Sequence, residues 1–268
     1  MAIGVIVCGI GGRMGGAVVR AIRQTSDIKL VGAIDRPASA RLGKDAGEIS
    51  QAGKLNLPVS DDLARYLRPN SVVIDFTSAE ASLTYLRVAA KKKTPIVVGT
   101  TGFNPTQVAE IKKLARRTPV LLSANMSLGV NLLVSVVEKV AEKLGDDYDV
   151  EIIEAHHRFK KDAPSGTALA MGKAIAKGLK RDLDQVAING RKGITGERSK
   201  REIALLSVRA GDIVGEHTVI FGGIGELLEF IHRAHSRDTF ARGAVRAAQW
   251  LANQKPGLYD MQDVLGLK

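Results

Sequence analysis

The feature that most constrains the fold is an alternation, in the first half of the chain, of short β-branched runs with amphipathic helical patterns. The runs predict strands at 3–9, 28–35, 71–77, 95–102 and 119–125, and the stretches between them predict helices at 13–24, 80–92 and 105–117. Apolar strands joined by helical crossovers are typical of a parallel sheet that is covered on both faces and binds ligands at the carboxyl ends of its strands. The first half is therefore predicted to be a doubly wound α/β domain.

The second half has a different pattern. After a helix predicted at 128–144 come the strand-like runs "YDVEIIEAHH", "REIALLSVRAG", "DIVGEHTVIFGG" and "ELLEFIHRAHS", with fewer crossovers between them. They predict an α+β domain with a mixed, largely antiparallel sheet at 127–237, followed by a helix at 238–252 that returns to the first domain. The expected organisation is a first domain at 1–126, completed by 238–268, and a second at 127–237. The polar segment 181–200 is expected to be a long mobile loop.

Composition narrows the class of protein. A chain of 268 residues with 45% hydrophobic content and 8 prolines is expected to fold into globular domains. Its single cysteine, Cys8, offers no disulfide framework, and we expect neither a membrane span nor a signal peptide, so a cytoplasmic location is predicted. The formal charge of +11 invites a nucleic-acid hypothesis, but aromatics are only 4% and the basic residues are scattered. We expect neither a nucleic-acid nor a membrane partner, and the positive field favours a small anionic ligand.

A glycine-rich turn, "GIGGRMGG" at 9–16, follows the first strand directly. Glycines at this point let the backbone approach a pyrophosphate, which the amides of the next helix hold. Gly9 and Gly11 fit the usual fingerprint, but its third glycine falls on Met14, and the pattern present is Gly9, Gly12 and Gly15. A tight turn without a ligand is the alternative interpretation.

The second strand ends in Asp35, where an acid would accept hydrogen bonds from the ribose of a dinucleotide. Asp35 could instead cap a turn before Pro37. Arg36 could meet the 2′-phosphate of NADP, so the pair predicts a Rossmann-type site that takes both NADH and NADPH. With "GTTG" and "SANMS" at the ends of two further strands, the predicted cofactor-binding residues are Gly9, Ile10, Gly11, Gly12, Arg13, Met14, Asp35, Arg36, Gly99, Thr100, Thr101, Ser123, Ala124, Asn125 and Met126.

The second domain contains a cationic cluster, "EAHHRFKKDAPSGTA" at 154–168. Ser165 is a good helix cap, so the amides of Gly166 and Thr167 are expected to face an anion. An ordinary capped helix is the alternative. Adjacent strand positions point to opposite faces, so only one of His156 and His157 faces a substrate unless the strand bends there.

Other polar residues carry weaker hypotheses. His217, His232 and His235 have spacings that suit no common zinc pattern, so we predict structural histidines on strands and no metal site. Lys161 is expected to be a solvated charge, and Arg237 is a weaker candidate for contacting a substrate carboxylate.

Seven segments together resemble one enzyme family: "GGRMG", "DFT", "GTTG", "EAHHRFKKDAPSGT", "TGER", "RAGDIVGEHTV" and "MQDVLGL". The chain resembles, over essentially its whole length, the 4-hydroxy-tetrahydrodipicolinate (dihydrodipicolinate) reductases of bacterial lysine and diaminopimelate synthesis. The resemblance implies NAD(P)H-dependent reduction of a cyclic dicarboxylate, with loss of its 4-hydroxyl as water, by a cytoplasmic homotetramer.

The same resemblance assigns roles within the cluster. It implies that His156 is the catalytic acid and that Lys160 is a proton donor and electrostatic partner. The residues expected to hold the substrate carboxylates are His157, Lys160, Ser165, Gly166 and Thr167.

Two alternatives remain. One is another two-domain NAD(P)-dependent oxidoreductase acting on a small dicarboxylate, and the other is a basic dinucleotide-sensing or nucleic-acid-binding regulator without chemistry. The motif "HHxxKxDAPSGT" favours the reductase over the other oxidoreductase, because a generic dehydrogenase does not need a cationic cluster followed by an anion-holding turn.

Overall fold

The computed structural model describes residues 2–268, and the chain divides into two compact units. The first unit comprises the residues up to Leu128 together with Arg237–Lys268, and the second unit comprises Gly129–Ser236. Each unit has its own sheet and its own buried core.

The strands and helices follow the predicted alternation closely. The strands are β1 (Ile3–Cys8), β2 (Ile28–Ile34), β3 (Ser71–Asp75), β4 (Ile96–Val98), β5 (Pro119–Leu122), β6 (Asp149–His156), β7 (Ala187–Ile188), β8 (Ile203–Arg209), β9 (Gly215–Gly223), β10 (Glu226–Ala234) and β11 (Gly257–Tyr259). The helices are α1 (Arg13–Arg23), α2 (Ala46–Ile49), α3 (Ala79–Lys91), α4 (Pro105–Ala115), α5 (Leu128–Leu144), α6 (Gly166–Gly178), α7 (Leu183–Val186), α8 (Asp238–Leu251) and α9 (Met261–Leu265). Short 3₁₀ turns lie at Leu63–Tyr66 and Gly145–Asp147.

The first unit is built on a six-stranded parallel sheet in the order β11-β5-β4-β3-β1-β2. Alternate residues of β1 enter two different cores, because successive side chains on a strand point to opposite faces. Val5 and Val7 pack in the core that contains α1 and α8, whereas Ile6 and Cys8 pack in the core that contains α3 and α4. The predicted doubly wound α/β domain is confirmed, with β11 as an additional edge strand that the pattern did not predict.

The second unit has a five-stranded sheet in the order β10-β9-β6-β8-β7. The long pairings of β9 with β10 and with β6 are antiparallel, and those of β8 with β6 and β7 are parallel. The sheet is therefore mixed, as predicted. The inner face of β6 begins with Val150 and Ile152, which are buried in the core that also holds residues of α5 and α6.

The polar segment 181–200 is more ordered in its first part than the sequence suggested, since α7 and β7 lie within it. Its later part is tied to the outer face of β6 by two arginines. Arg191 pairs with Glu151, and Arg198 pairs with both Glu151 and Asp149. The polar composition predicted a long mobile loop, but it could not indicate these ion pairs, because they connect residues that are distant in sequence.

Candidate active site

The glycine turn after β1 has the geometry of a phosphate-binding loop. Gly9 has a φ of +80°, in the left-handed region that favours glycine. Gly12 caps α1 with an extended backbone and no side-chain hydrogen bond, and no acidic residue lies in the first turn of the helix. A Cβ on Gly15 would lie 2.2 Å from the carbonyl oxygen of Gly9. Gly15 is therefore the close-packing glycine of this turn, and the start of α1, where no side chain bonds to the helix amides, fits the pyrophosphate of a dinucleotide.

Asp35 and two arginines lie at the carboxyl end of β2. The carboxylate of Asp35 is buried and accepts hydrogen bonds from the backbone N–H of Arg36, at 2.9 Å, and from the hydroxyl of Ser39, at 2.8 Å. A guanidinium nitrogen of Arg41 lies 3.6 Å from the same carboxylate. A Cβ on Gly11 would be only 2.6 Å from this guanidinium, so Arg41 lies against the glycine turn. Sequence reasoning missed Arg41, because nothing local indicates that it folds back over Gly11.

Asp75, at the end of β3, joins two neighbouring strand ends. It is fully buried and accepts hydrogen bonds from the hydroxyls of Thr77, at 2.6 Å, of Thr100, at 3.3 Å, and of Ser82. Burial raises the pKa of Asp75, and the hydrogen bonds from Ser82, Thr77 and Thr100 oppose that rise. The segment "DFT" is one of the segments that carry the family resemblance. The sequence did not indicate that its aspartate, Asp75, accepts a hydrogen bond from Thr100.

The remaining predicted cofactor residues occupy the same edge of the sheet. Gly99 has a structural reason to be glycine, since a Cβ there would lie 2.1 Å from the ring of Phe76. The side chains of Ile10 and Met126 are buried in the core, which leaves their backbone for contact with a ligand. Thr101 and Ala124 are exposed, and the hydroxyl of Ser123 donates to the carbonyl of Asn125 at 2.8 Å.

The cationic cluster begins where the inner face of β6 changes from apolar to polar. Glu154 and His156 continue the face that Val150 and Ile152 occupy, and His156 is the last residue of the strand. In the sheet register Glu154 lies between Ser207 on β8 and His217 on β9, and His156 lies beside Arg209. The ring of His156 contacts that of His217 edge to face, with 5.2 Å between centroids.

Ser165 caps α6 as predicted, and its hydroxyl accepts from the backbone N–H of Ala168 at 3.2 Å. The hydroxyl also lies 3.1 Å from Nε2 of His217, and the backbone N–H of Ser165 donates to Glu154 at 3.1 Å. Because these groups are directed into the protein, the substrate contact expected of Ser165 remains a prediction. At Gly166 a Cβ would meet no atom within 4 Å, so the first turn of α6 is open at this residue.

His157 and Lys160 follow the end of β6, where the chain turns. The backbone N–H of Lys160 donates to the carbonyl of His157 at 3.1 Å, and its ammonium pairs with Asp162 at 2.9 Å. Nδ1 of His157 is buried and makes no hydrogen bond to any residue in 2–268. Lys161 is exposed, as expected of a solvated charge. Because the chain turns after His156, strand alternation no longer requires His156 and His157 to point to opposite faces.

The environment shifts the pKa values of this cluster. Burial lowers the pKa of His156 below its ordinary value, although its hydrogen bond to Glu154 raises it. Burial lowers the pKa of His217 to about 3, and His156 adds to the effect, so His217 is neutral. Burial alone would raise the pKa of Glu154, but hydrogen bonds from Arg209, Ser207 and His156 outweigh it and lower the value to about 2.

The other histidines are placed as follows. His217 and His232 lie on β9 and β10, as predicted, but His235 lies one residue beyond β10 and is exposed, because the strand ends at Ala234.

Within residues 2–268, no three His, Cys, Asp or Glu side chains are grouped so that they could hold a metal ion. No helix in this part of the chain has the length and apolar composition needed to cross a membrane. Arg237 precedes α8, and its predicted substrate contact stays a prediction.

Comparison with known proteins covers both units. Residues 3–126 match the family model for the dihydrodipicolinate reductase N-terminus, and residues 129–265 match the model for its C-terminus. The chain is 53% identical over 263 residues to 4-hydroxy-tetrahydrodipicolinate reductase of Syntrophus aciditrophicus (strain SB), covering 98% of each chain. It is 51% identical over 264 residues to the protein of the same name from Geotalea uraniireducens (strain Rf4), covering 98% of this chain and 99% of the relative.

A solved structure shares the fold. It is a dipicolinate-bound dihydrodipicolinate reductase from Paenisporosarcina sp. TG-14, with a TM-score of 0.73 at 23% identity, covering 98% of this chain and 99% of the other. Three observations indicate the same family: the two family models, the identity with the relatives over nearly the whole chain, and the glycine turn typical of a nicotinamide-binding domain. The chain belongs to the dihydrodipicolinate reductase family of oxidoreductases.

Proposed function

We propose that the protein reduces 4-hydroxy-tetrahydrodipicolinate to tetrahydrodipicolinate, with loss of water, in lysine and diaminopimelate synthesis. The observation that carries this proposal is the 53% identity, over 98% of each chain, with a relative that is named for this reaction. The hydrogen-bonded group of Glu154, His156 and Arg209 supports it, because a structural strand end does not require a buried acid paired with a partly buried arginine beside a histidine.

The chain's own residues account for the proposed chemistry. A bound NADH or NADPH supplies the hydride. His156 donates the proton that follows the hydride, and Lys160 acts as a proton donor and electrostatic partner. His157, Lys160 and the first turn of α6, at Gly166 and Thr167, hold the two carboxylates, since ammonium, imidazole and helix-terminal amides all favour an anion. Ser165 fixes that turn through its cap.

Both nicotinamide cofactors are proposed to bind. Asp35 offers a carboxylate to the ribose hydroxyls of NADH, whereas Arg36 and Arg41 offer cations to the 2′-phosphate of NADPH. The exposed side of Arg41 and its position against Gly11 support this assignment, because the phosphate of the adenosine ribose lies at this edge of a Rossmann-type site. Arg13, at the start of α1, adds to the positive charge there.

We further propose a homotetramer that assembles through the second unit. Alternation along β8 and β10 places Val208, Leu227 and Ile231 on the outer face of the sheet, and these residues are 45%, 70% and 47% exposed. β10 is also a nine-residue edge strand. An apolar face beside a long open edge is usually covered by another chain, and self-association is the simplest cover.

We also propose a cytoplasmic location, which accords with the use of a reduced nicotinamide cofactor.

The decisive experiment is oxidation of NADPH and NADH in a coupled assay. The preceding condensation enzyme would generate the unstable substrate in place, and cofactor absorbance would be followed. We expect oxidation that requires both the substrate and this protein. Binding of NADPH without substrate-dependent oxidation would indicate a dinucleotide-sensing protein, and oxidation with other small dicarboxylates alone would indicate a different reductase.

A further inference from the structure

Glu154 is the most completely hydrogen-bonded buried acid of the second unit, and the motif gives it no role. Its side chain has no solvent exposure. Oε1 accepts from the backbone N–H of Ser165 at 3.1 Å, from the hydroxyl of Ser207 at 2.8 Å and from Arg209 at 2.8 Å. Oε2 accepts from the other terminal nitrogen of Arg209 at 2.9 Å and lies 2.6 Å from Nδ1 of His156.

We propose that the ion pair of Glu154 and Arg209 is a positioning device that fixes His156 with a hydrogen on Nδ1 and leaves Nε2 as the nitrogen that exchanges a proton with the substrate. The inference rests on the role given to His156 in the proposed function. Neither Glu154 nor Arg209 is assigned a contact with the substrate. Both act through the imidazole.

The hydrogen-bond geometry determines the tautomer. An ionised carboxylate can only accept hydrogen bonds, so the close approach of Oε2 to Nδ1 requires the hydrogen to lie on Nδ1. The four other donors around Glu154 hold it ionised, and the two parallel bonds from Arg209 also fix its plane. Rotation of the imidazole would break the 2.6 Å contact, so the ring orientation is fixed as well.

The space around Nε2 fits this role. A Cβ on Gly215, the neighbouring residue on β9, would lie 3.0 Å from Nε2. A larger residue at 215 would therefore crowd the nitrogen that must meet a substrate. The ring also contacts His217 edge to face; His217 is neutral and its Nε2 is directed to Ser165.

Burial and charges of both signs tune the proton affinity of His156. Burial lowers its pKa, the carboxylate of Glu154 stabilises the imidazolium and raises it, and the cations of Lys160 and Arg209 lower it. The titratable and charged groups that face the ring from the adjoining strands and the following turn are Glu154, Arg209, His217 and Lys160, with Asp162 paired to Lys160. The pair thus holds the imidazole without the large rise in pKa that an unpaired carboxylate would cause.

The test uses two variants with opposite expected effects. In Glu154→Gln the imidazolium loses its anion, so the pKa of His156 should fall and the alkaline decline of kcat/KM should move to lower pH. In Arg209→Gln the carboxylate is no longer neutralised, so both should move to higher pH. Turnover in Glu154→Gln should fall by up to about 10²-fold, which is part of what a general acid contributes. If the pair of Glu154 and Arg209 only stabilised the fold, the pH profiles of the two variants would move in the same direction or not move.

The tautomer can be read without activity. Two-bond ¹H–¹⁵N spectra of protein labelled at its five histidines, with His156 assigned through His156→Gln, should show a hydrogen on Nδ1 of His156. Glu151→Gln is the matched control. Glu151 lies on the opposite face of the same strand and also pairs with arginines, so its loss should leave the His156 signal and the pH profile unchanged.

Distinct outcomes would overturn each proposal. A hydrogen on Nε2 of His156 in the unmodified protein, or unmoved pKa values in folded Glu154→Gln and Arg209→Gln, would refute the positioning role. If Glu154→Gln does not fold, the upward shift in Arg209→Gln still tests the pair. A protein with the expected tautomer and shifts that reduces no substrate would refute the proposed function and leave the positioning geometry standing.

Discussion

Nδ1 of His156 lies 2.6 Å from Oε2 of Glu154, the residue two positions earlier on the same strand. The contact forms because residues at positions i and i+2 of a strand share a face. That face is apolar at Val150 and Ile152 and becomes polar at Glu154, so the site begins where the core of the second unit ends.

Loss of the proposed proton donors should affect turnover and leave cofactor binding intact. We expect His156→Gln and Lys160→Ala each to lower kcat by about 10²- to 10⁴-fold, the contribution typical of general acid catalysis. NADPH affinity, measured by fluorescence titration, should stay near normal, because the glycine turn belongs to the other unit. Lys161→Ala removes a neighbouring exposed lysine and should leave turnover unchanged. Near-normal turnover in both folded variants would show that the proton comes from elsewhere.

The pH dependence follows from the protonation state of His156. The imidazolium of His156 is the proposed donor, and burial lowers its pKa, so kcat/KM should fall as pH rises, with a midpoint below the ordinary value of about 6.5. The decline of kcat should lie at higher pH, because a bound dicarboxylate favours the imidazolium. Rate profiles from about pH 5 to 9 would measure both declines, because this interval includes the range in which imidazole titrates. Persistence of the same decline in His156→Gln would assign it to another group.

Cofactor selectivity should depend on two arginines at the end of β2. Arg36→Ala and Arg41→Ala should each raise the Kd of NADPH by about 10- to 100-fold, because a charged hydrogen bond is worth roughly 1.5–3 kcal/mol and each 1.4 kcal/mol is about a tenfold change. The Kd of NADH should change little, as that cofactor lacks the 2′-phosphate. Arg87→Ala is the control, because Arg87 pairs with Glu110 on the surface of α3 and α4. Equal losses for both cofactors would remove the arginines from this role.

Assembly should depend on the outer face of the second sheet. Ile231→Glu places a charge in the proposed contact, so light scattering at micromolar concentration should report a smaller species than the tetramer expected of the unmodified protein. Leu258→Glu is the control, because Leu258 is 40% exposed on β11, in the other unit. A monomeric unmodified protein would contradict the proposed assembly without affecting the catalytic assignment.

Adjacent glycines of α1 should differ in their tolerance of a methyl group. Gly15→Ala would place a Cβ 2.2 Å from the carbonyl of Gly9, so we expect a loss of about 1–3 kcal/mol in stability and weaker binding of both cofactors. At Gly16 the nearest atom would be 3.5 Å away, so Gly16→Ala should be neutral or stabilising by up to about 1 kcal/mol, through helix propensity. Thermal unfolding of the two variants would measure the difference. Equal melting temperatures would contradict the close packing of Gly15.

Local sequence patterns predicted most of the fold. The continuous β-branched apolar runs predicted the strands of the first sheet to within a few residues, since such a run depends only on neighbouring positions. The serine cap of α6 and the glycine turn after β1 were equally readable, because each depends on the chemistry of a few neighbouring residues. The short strand β11 was missed, because three residues are too few to establish a period.

The sequence by itself determined which residues are proposed to carry the chemistry: the glycine turn, Asp35, His156 and Lys160 all lie within local motifs. Only the tertiary structure decided what surrounds them. Arg209 and Ser207 bond to Glu154 although more than 50 residues separate them in sequence, and His217 contacts Ser165 across a similar sequence separation. These partners are set by the register of β6 with β8 and β9, and register depends on how whole strands pair and not on any local pattern.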